Sequence, residues 1–244
     1  MTAQTRSEIC TNFEASTVER AKSAMGQYGL VVLGLIHHAP IAAQYPDAIN
    51  RIGEGPPDQS VREVKYTPTH REVADSKDHS LALVLEGALS DLVQQWHELL
   101  KDLYEVALTQ TIEGHANYVI EKIQPRLTVA ELRGPNAMKH ILSQAVRDFD
   151  FEDSSNKLRI VRKIYNVILT DIQVEVNTLN KFVLVRNIFE HRNGIASARD
   201  IADAGGQLAL DAGTINIGDR IQLSPYDIET ISDSMIAIAK KLSQ

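Results

Sequence analysis

Residues 80–109 read SLALVLEGALSDLVQQWHELLKDLYEVALT. Apolar side chains recur in this stretch at alternating steps of four and three, at Leu85, Leu89, Leu92, Trp96, Leu99, Leu103 and Val106. That spacing places them on one side of an α-helix. A second apolar row widens the stripe, as is typical of a helical bundle rather than a two-helix zipper; it comprises Leu81, Val84, Ala88, Leu100 and Ala107. The stretch therefore predicts an all-α fold built around this helix.

Further helices are predicted downstream. Pro135 suits the first turn of a helix that ends near residue 149. The next helix has three N-cap candidates, Asp153, Ser154 and Ser155. Its predicted inner face carries Leu158, Val161, Ile164, Tyr165, Ile168 and Leu169. Residues 171–193 keep helical spacing and either continue that helix or follow a kink. The Asn193-Gly194 pair predicts a left-handed C-terminal end.

The C-terminal region predicts a small β element and a closing helix. Residues 214–223 alternate apolar and polar side chains about Gly218-Asp219, which favours a small hairpin or a paired extended segment. Ser224, Pro225 and Asp227 have the form of an N-cap, a first-turn proline and an acidic third residue, so a last helix is expected to residue 242. The predicted fold is a helical bundle with a β-hairpin excursion before the last helix.

The N-terminal third has a different composition. Ser16 and Glu19 have the spacing of a capping box and predict a helix over residues 17–36. Five of the eight prolines fall between residues 40 and 68, which predicts an irregular segment over 39–77. We therefore expect residues 1–79 to form an N-terminal helix with a proline-rich irregular segment, and residues 80–244 to form the helical bundle.

Composition and charge exclude several classes of protein. Hydrophobic residues make up 43% of the chain, which excludes an intrinsically disordered protein. The 25 Lys and Arg residues against 32 Asp and Glu residues give a net charge of −7, which argues against a general nucleic-acid coat. No apolar run approaches the roughly 20 residues of a membrane span, and no secretory signal is visible at the N-terminus. A soluble cytoplasmic protein is expected.

Several patterns that suggest a site are incomplete. His97 begins a His-Glu pair, but Lys101 stands where a zinc protease has its second histidine. The adjacent pair His37–His38 has no neighbouring carboxylate, so a structural or surface role is expected. Gly53–Gly55 lacks the Gly-Lys-Ser/Thr of a phosphate-binding loop. Cys10 lies near a terminus that looks disordered and has no evident base, so no nucleophile and no metal site are predicted.

The remaining candidate is the segment 183–194, which reads VLVRNIFEHRNG. Arg186 and His191 are separated by four residues, and Asn187 directly follows the arginine. A purely structural explanation is available, because Glu190 can pair with Arg186 at i,i+4 and basic residues favour the last turn of a helix. Another arginine precedes His140 at a similar spacing, but Gly134-Pro135 interrupts that pair.

Arg186-Asn187-x-x-x-His191, late in a long apolar-faced helix, resembles the motif of HEPN domains. The chain after the motif strengthens the likeness to the RiboL-PSP type, since Asn193-Gly194-Ile195, an irregular spacer, residues 218–224 and a closing helix follow in order. The resemblance is carried by residues 157–244 and extends back towards residue 80. It implies a dimeric helical bundle that acts as a metal-independent endoribonuclease without a cofactor, commonly as a toxin or antiphage effector with an antitoxin or regulatory protein.

The resemblance implies that Arg186, Asn187 and His191 are the catalytic residues. Their chemistry agrees, because RNA cleavage without a metal needs proton transfer, which histidine provides near neutral pH, and a fixed cation for the phosphate. On a straight helix Arg186 lies about 140° from His191, so two copies about a two-fold axis are expected to complete one cleft. Arg192 is either a secondary phosphate contact or a solvated helix-end charge.

Two other functions stay open. The chain could be a non-catalytic helical module that binds RNA, a nucleotide or a protein partner, since the family includes non-catalytic members. A weaker alternative is an inhibitor or sensor that docks through residues 39–77. Local charge allows RNA binding: residues 157–192 hold seven Lys and Arg against three Asp and Glu, a balance of +4. We therefore expect a small basic cleft on an otherwise acidic bundle.

Overall fold

The structure is a computed structural model that describes residues 5–48, 68–120 and 136–244. In these ranges the fold is all-α, with one small antiparallel sheet. The helices are α1 (Arg6–Gln44), α2 (His70–Asp75), α3 (Lys77–Ile112), α4 (Ala137–Asp150), α5 (Ser154–Ile164), α6 (Gln173–Arg192), α7 (Ala198–Asp203) and α8 (Pro225–Ser243). The strands are β1 (Leu208–Leu210) and β2 (Gly213–Ile215). None of the described helices is long and apolar enough to cross a bilayer.

The leucine-rich helix α3 is the centre of the bundle. It packs against α1, α4, α5, α6 and α8, and its predicted stripe is buried from Leu85 to Leu103. The second apolar row is only partly buried: Leu100 and Ala107 are buried, whereas Leu81, Val84 and Ala88 are half-buried. Full burial of one such leucine stabilises the fold by about 1.5–3 kcal/mol, so α3 carries much of the core. Its start at Lys77 precedes the predicted start by three residues.

Helix α1 is longer than the sequence pattern predicts. Thr5 and Glu8 form the capping box that begins it, and Ser16 lies inside the helix. The predicted start is wrong because Ile9, Cys10 and Phe13 extend the buried side into the bundle core. Its C-terminal end lies beyond Pro40, so one missing N–H does not end the helix.

The irregular segment predicted over residues 39–77 is partly helical in the described residues. Helix α1 takes residues 39–44, and α2 occupies His70–Asp75 with its own Thr69–Glu72 capping box. Residues 49–67, which include Gly53 and Gly55, lie outside the described residues. Side chains from α1 share one core with α3–α8, and the predicted division after residue 79 stays a prediction.

A break separates α5 from α6, so residues 171–193 do not continue the preceding helix. Of the three N-cap candidates Asp153 caps α5, its side chain accepting a hydrogen bond from the Asn156 N–H at 2.9 Å. After α5, Asn166 has a left-handed φ of 54°, and the Val167 N–H donates back to the Arg162 carbonyl at 2.8 Å. This is the hydrogen-bond pattern of a helix end. Ile168, expected on the inner face, is 71% exposed beyond the break.

The predicted β-hairpin before the last helix is present, but its strands are earlier in the chain. Leu208 pairs with Ile215 and Leu210 with Gly213, whereas the prediction centred the turn on Gly218-Asp219. Residues 216–219 instead form their own turn, closed by the Asp219 carboxylate, which accepts from the Asn216 N–H at 2.8 Å. The chain beyond that turn contacts the end of α6.

The closing helix α8 begins as predicted. Ser224 and Asp227 form a capping box with Pro225 in the first turn. Asp227 is buried and also accepts from the Asp211 N–H at 3.1 Å. This carboxylate therefore joins the turn of the β-hairpin to the start of α8, which packs against α1, α3 and α6.

Candidate functional site on helix α6

The segment 183–194 forms the last turns of α6, and its end requires Asn193 and Gly194. Both have left-handed backbone, with φ of 51° and 77°, and the Asn193 N–H donates to the Ile188 carbonyl. A Cβ added at Gly194 would lie 2.9 Å from the ring of Phe189. The predicted C-terminal end is confirmed, because a glycine is the residue that fits both the backbone angle and the close contact.

The chain after α6 is held by a second segment. The Ala196 N–H donates to the Asp219 carbonyl at 3.0 Å, and the Gly218 N–H donates to the Ala196 carbonyl at 2.8 Å. The Ile221 N–H donates to the Gly194 carbonyl at 2.8 Å. Residues 218–221, whose position after the motif supported the family resemblance, therefore anchor the end of the helix that carries Arg186, Asn187 and His191.

Arg186 is half-buried and already has a charged partner. Its guanidinium forms an ion pair with Glu190 one turn later and donates to the Asn187 side-chain oxygen at 3.4 Å. Its Nε atom is buried without a hydrogen-bond partner among the described residues. The i,i+4 pair that a structural explanation predicts is therefore present, and it occupies the group that would contact a phosphate.

His191 lies on a different side of α6. It is exposed, and within one chain the structure does not bring its ring against Arg186. It belongs to a row of side chains at steps of four, three, four, three and four that we name the amide stripe: Gln173, Asn177, Asn180, Leu184, Asn187 and His191. None of these six is buried. The opposite core face holds the buried residues Leu179, Phe182, Val185 and Ile188.

Arg192 is bonded to a buried carboxylate. Its guanidinium pairs with Asp200, which also accepts from the Ser197 N–H at 2.8 Å and the Ser197 hydroxyl at 2.7 Å. Burial alone would raise the pKa of Asp200, but the hydrogen bonds from Ser197 and Arg192 together hold that pKa below its usual value. Arg192 thus joins α6 to α7, and its contact with RNA phosphate stays a prediction.

The structure places a second histidine close to Arg186. His97 on α3 is largely buried, and its Nε2 atom has no hydrogen-bond partner in the described ranges. Burial, together with the nearby cations Lys157 and Arg186, lowers the pKa of His97 to about 4, whereas Asp150 opposes the shift. The imidazole is therefore neutral near pH 7. The sequence pattern indicates His97 only as half of an incomplete zinc motif, because the proximity of α3 to α6 is a tertiary feature.

Lys157 and Asp150 complete the charged surroundings of His97. The Lys157 amine is almost fully buried, 3.6 Å from an Asp150 oxygen, and the Lys101 amine lies 3.0 Å from the other oxygen of that carboxylate. Burial would raise the pKa of Asp150, but Lys101 and Lys157 lower it overall. Two lysines therefore share one carboxylate beside His97, and the Arg186 cation faces this group from α6.

The other candidate residues from the sequence lie in the core, in contacts between helices or on the surface. Cys10 is in the core rather than at a disordered terminus, and burial raises the pKa of its thiol to about 11, so the expectation of a disordered surrounding is wrong. His38 contacts His70 through ring nitrogens 2.7 Å apart. In the described parts of the chain, no three His, Cys, Asp or Glu side chains are grouped as metal ligands. His140 is exposed on α4, and Arg133 lies outside the described residues.

Comparison with known proteins identifies no relative. No protein-family model, curated protein or solved structure matches this chain.

Proposed function

We propose that the protein is a dimeric, metal-independent endoribonuclease of the HEPN type, acting as a toxin or antiphage effector. The observation that carries the proposal is Arg186-Asn187-x-x-x-His191 in the last turns of α6, directly before a helix end of defined geometry. The support is the motif and its helical setting together with an exposed histidine. The family assignment rests on the sequence resemblance.

The proposed reaction is an intramolecular transesterification. The ribose 2′-hydroxyl loses its proton and attacks the adjacent phosphorus, and the bond from phosphorus to the 5′-oxygen of the next nucleotide breaks. The leaving oxygen takes a proton, and a 2′,3′-cyclic phosphate remains. His191 is an exposed imidazole that can accept or donate such a proton, and a guanidinium stabilises charge on the phosphorane.

Two copies are needed for this chemistry. Arg186 lies on the flank of α6 that faces His97 on α3, whereas His191 lies on the amide stripe, about 140° away around the axis. A two-fold axis through the amide stripe would bring two His191 side chains to one cleft, with the Arg186 groups at its edges. RNA phosphate would then compete with Glu190 for the Arg186 guanidinium.

The test is cleavage of RNA in EDTA by purified full-length protein. We expect wild type to leave cyclic phosphate ends, and both His191→Ala and Arg186→Ala to lower the rate by about 10²–10⁴. His140→Ala and Arg147→Ala are matched controls, because both residues are exposed on α4. Equal cleavage by all five proteins, or cleavage that requires a divalent metal, would exclude the proposal.

A non-catalytic helical module is the second candidate function. The observation that favours it is the ion pair between Arg186 and Glu190, which neutralises the proposed phosphate ligand within one chain. Induced expression distinguishes the two functions. A toxin arrests growth only when His191 is intact, whereas a module that binds RNA or protein is tolerated with either His191 or alanine at that position.

A further inference from the structure

A polar groove lies along the amide stripe, between α5, α6 and the end of α7. Its volume is about 740 Å³. Helix α6 contributes Asn177, Asn180 and Leu184 to its wall, α5 contributes Ser155, and the chain after α7 contributes Gln207. The Asp203 carboxylate at the end of α7 also lines the groove, so amides, a hydroxyl and one acid lie beside apolar residues.

The groove offers hydrogen-bond donors. The Asn177 oxygen accepts from the Gln173 amide at 2.9 Å, and the Asn180 oxygen accepts from the Ser155 hydroxyl at 3.0 Å. With both oxygens engaged, the N–H groups of the two asparagines stay available for acceptors on a ligand. The Lys181 amine adds positive charge at the wall, where it donates to the Ala209 carbonyl at 3.1 Å.

A basic row begins at the rim of this groove. Ser155, Arg159 and Arg162 follow one another on α5 at steps of four and three, so they share one side of that helix. Helix α5 contains four Lys and Arg residues and no acidic residue. Arg159, Arg162 and Lys163 are exposed, whereas Lys157 is buried.

The candidate site lies on the same side of α6 as the groove, whose lining on that helix ends at Leu184. Leu184 and His191 are one heptad apart on the amide stripe, which is about 10 Å along the helix axis. The contact between Ser155 and Asn180 places the start of α5 beside the middle of α6. Because the short connection 165–172 joins the other end of α5 to the start of α6, the two helices run antiparallel. The order along this surface is His191, then the amide groove, then Arg159 and Arg162.

We propose that the groove binds the single-stranded RNA that flanks the scissile phosphate, with Asn177 and Asn180 contacting bases and Arg162 contacting the backbone. Nucleobases present carbonyl and ring-nitrogen acceptors to amide donors, and a cationic row beside a base-binding groove is the general arrangement of single-strand binding surfaces. This inference rests on the proposed function for the position of the scissile phosphate. Donor-rich amides next to a helix that carries four Lys and Arg residues and no acidic residue favour RNA over a protein ligand.

Binding is measured without cleavage, in the His191→Ala protein, by the fluorescence anisotropy of labelled single-stranded RNA over a series of salt concentrations. Added Asn177→Ala or Asn180→Ala is expected to weaken binding by about three- to tenfold and to change the order of preference among oligonucleotides. Arg162→Gln is expected to weaken binding to all sequences alike. It should also lower the slope of log affinity against log salt concentration by about 0.7.

The controls are chosen to match these variants. Asn12→Ala removes an exposed amide on α1, and Arg147→Gln removes an exposed arginine from the last turn of α4, as Arg162 lies in the last turn of α5. Neither control should change affinity or salt slope. Wild-type affinity in the groove variants, or a loss equal to that of the controls, overturns the proposal.

The outcomes separate this proposal from the proposed function. Cleavage through His191 with unaffected binding in the groove variants rejects the groove and keeps the nuclease. Groove-dependent RNA binding without any cleavage rejects the nuclease and keeps the groove. Analytical ultracentrifugation tests whether a second copy of the chain occupies the groove instead. If Asn177→Ala changes self-association and leaves RNA affinity intact, the groove is an interface between copies and the RNA proposal is wrong.

Discussion

The two faces of α6 differ in how deeply their side chains are buried. The core face buries Leu179, Phe182, Val185 and Ile188 against the bundle, whereas the amide stripe contains no buried residue in the described structure. Residues a few positions apart on one helix therefore have different constraints. Packing determines which side chains fit the core face, while on the amide stripe Leu184 meets the edge of the core and Asn180 accepts a hydrogen bond from Ser155 on α5.

This difference bears on function. Asparagine has a lower helix propensity than alanine, glutamate or lysine, yet Asn177, Asn180 and Asn187 all lie on the amide stripe. The hydrogen bond from Ser155 gives Asn180 a structural role, but no packing requirement in the described structure accounts for Asn177 and Asn187 at exposed and half-buried positions. Their concentration beside His191 is what a binding surface predicts.

The largest expected effect is on the core face. Phe182→Ala should lower the free energy of unfolding by about 3–5 kcal/mol, because it leaves a cavity where a fully buried ring packs. Asn177→Ala on the amide stripe should change it by no more than about 0.5 kcal/mol. Urea unfolding followed by circular dichroism measures both. Similar losses in the two variants would show that the amide stripe is structural.

The next effect is at the end of α6. Asp200→Asn should destabilise the protein by about 1–3 kcal/mol at pH 7, because the buried carboxylate accepts from Ser197 and Arg192. The lowered pKa of Asp200 means that its stabilisation is present above about pH 4 and is lost as the pH falls through the folded-state value. The difference between wild type and variant should therefore shrink in acid. A constant difference from pH 7 to pH 3 would contradict this explanation.

A smaller effect is expected at His97, beside the Arg186 flank of α6. Its pKa of about 4 in the folded state lies below the ordinary value of 6.5. Between these values the unfolded chain binds a proton that the folded protein does not, so stability falls as the pH drops from 7 to 4. His97→Gln should lessen that fall, as measured by urea unfolding at pH 7 and pH 5. His140→Gln on α4 is the control, and equal behaviour of the two variants would reject the role of His97.

The smallest effect is expected at Glu190. Glu190→Gln removes the charge that pairs with Arg186, and an ion pair of this exposure contributes at most about 1 kcal/mol to stability. RNA affinity should rise by about two- to fivefold, because the freed guanidinium no longer has a competing carboxylate. Asp91→Asn, which changes an exposed acid on α3 paired with Arg20 on α1, is the comparison for net charge. An equal rise in both variants would indicate net charge rather than release of Arg186.

Local patterns predicted much of the fold. The leucine spacing in α3, the Asp153 N-cap, the Asn193-Gly194 end and the Ser224–Asp227 capping box are interactions within a few residues, and the structure contains each of them. The start of α1 was not predictable in this way, because Ser16–Glu19 and Thr5–Glu8 have the same spacing. Burial of Ile9 and Phe13 against other helices decided between them. The strands of the β-hairpin were misplaced because alternation in 214–223 does not reveal which segment pairs with which.

The candidate site divides in the same way. The sequence by itself determined that Arg186, Asn187 and His191 lie on one helix with a defined end, because spacing, the Asn-Gly signal and helical geometry are local properties. Only the tertiary structure decided that Arg186 and Lys157 lie close to His97, that Arg192 is bonded to Asp200, and that a groove lies between the amide stripe and α5. Those features depend on contacts between residues that are distant in sequence, and such contacts arise only when helices pack.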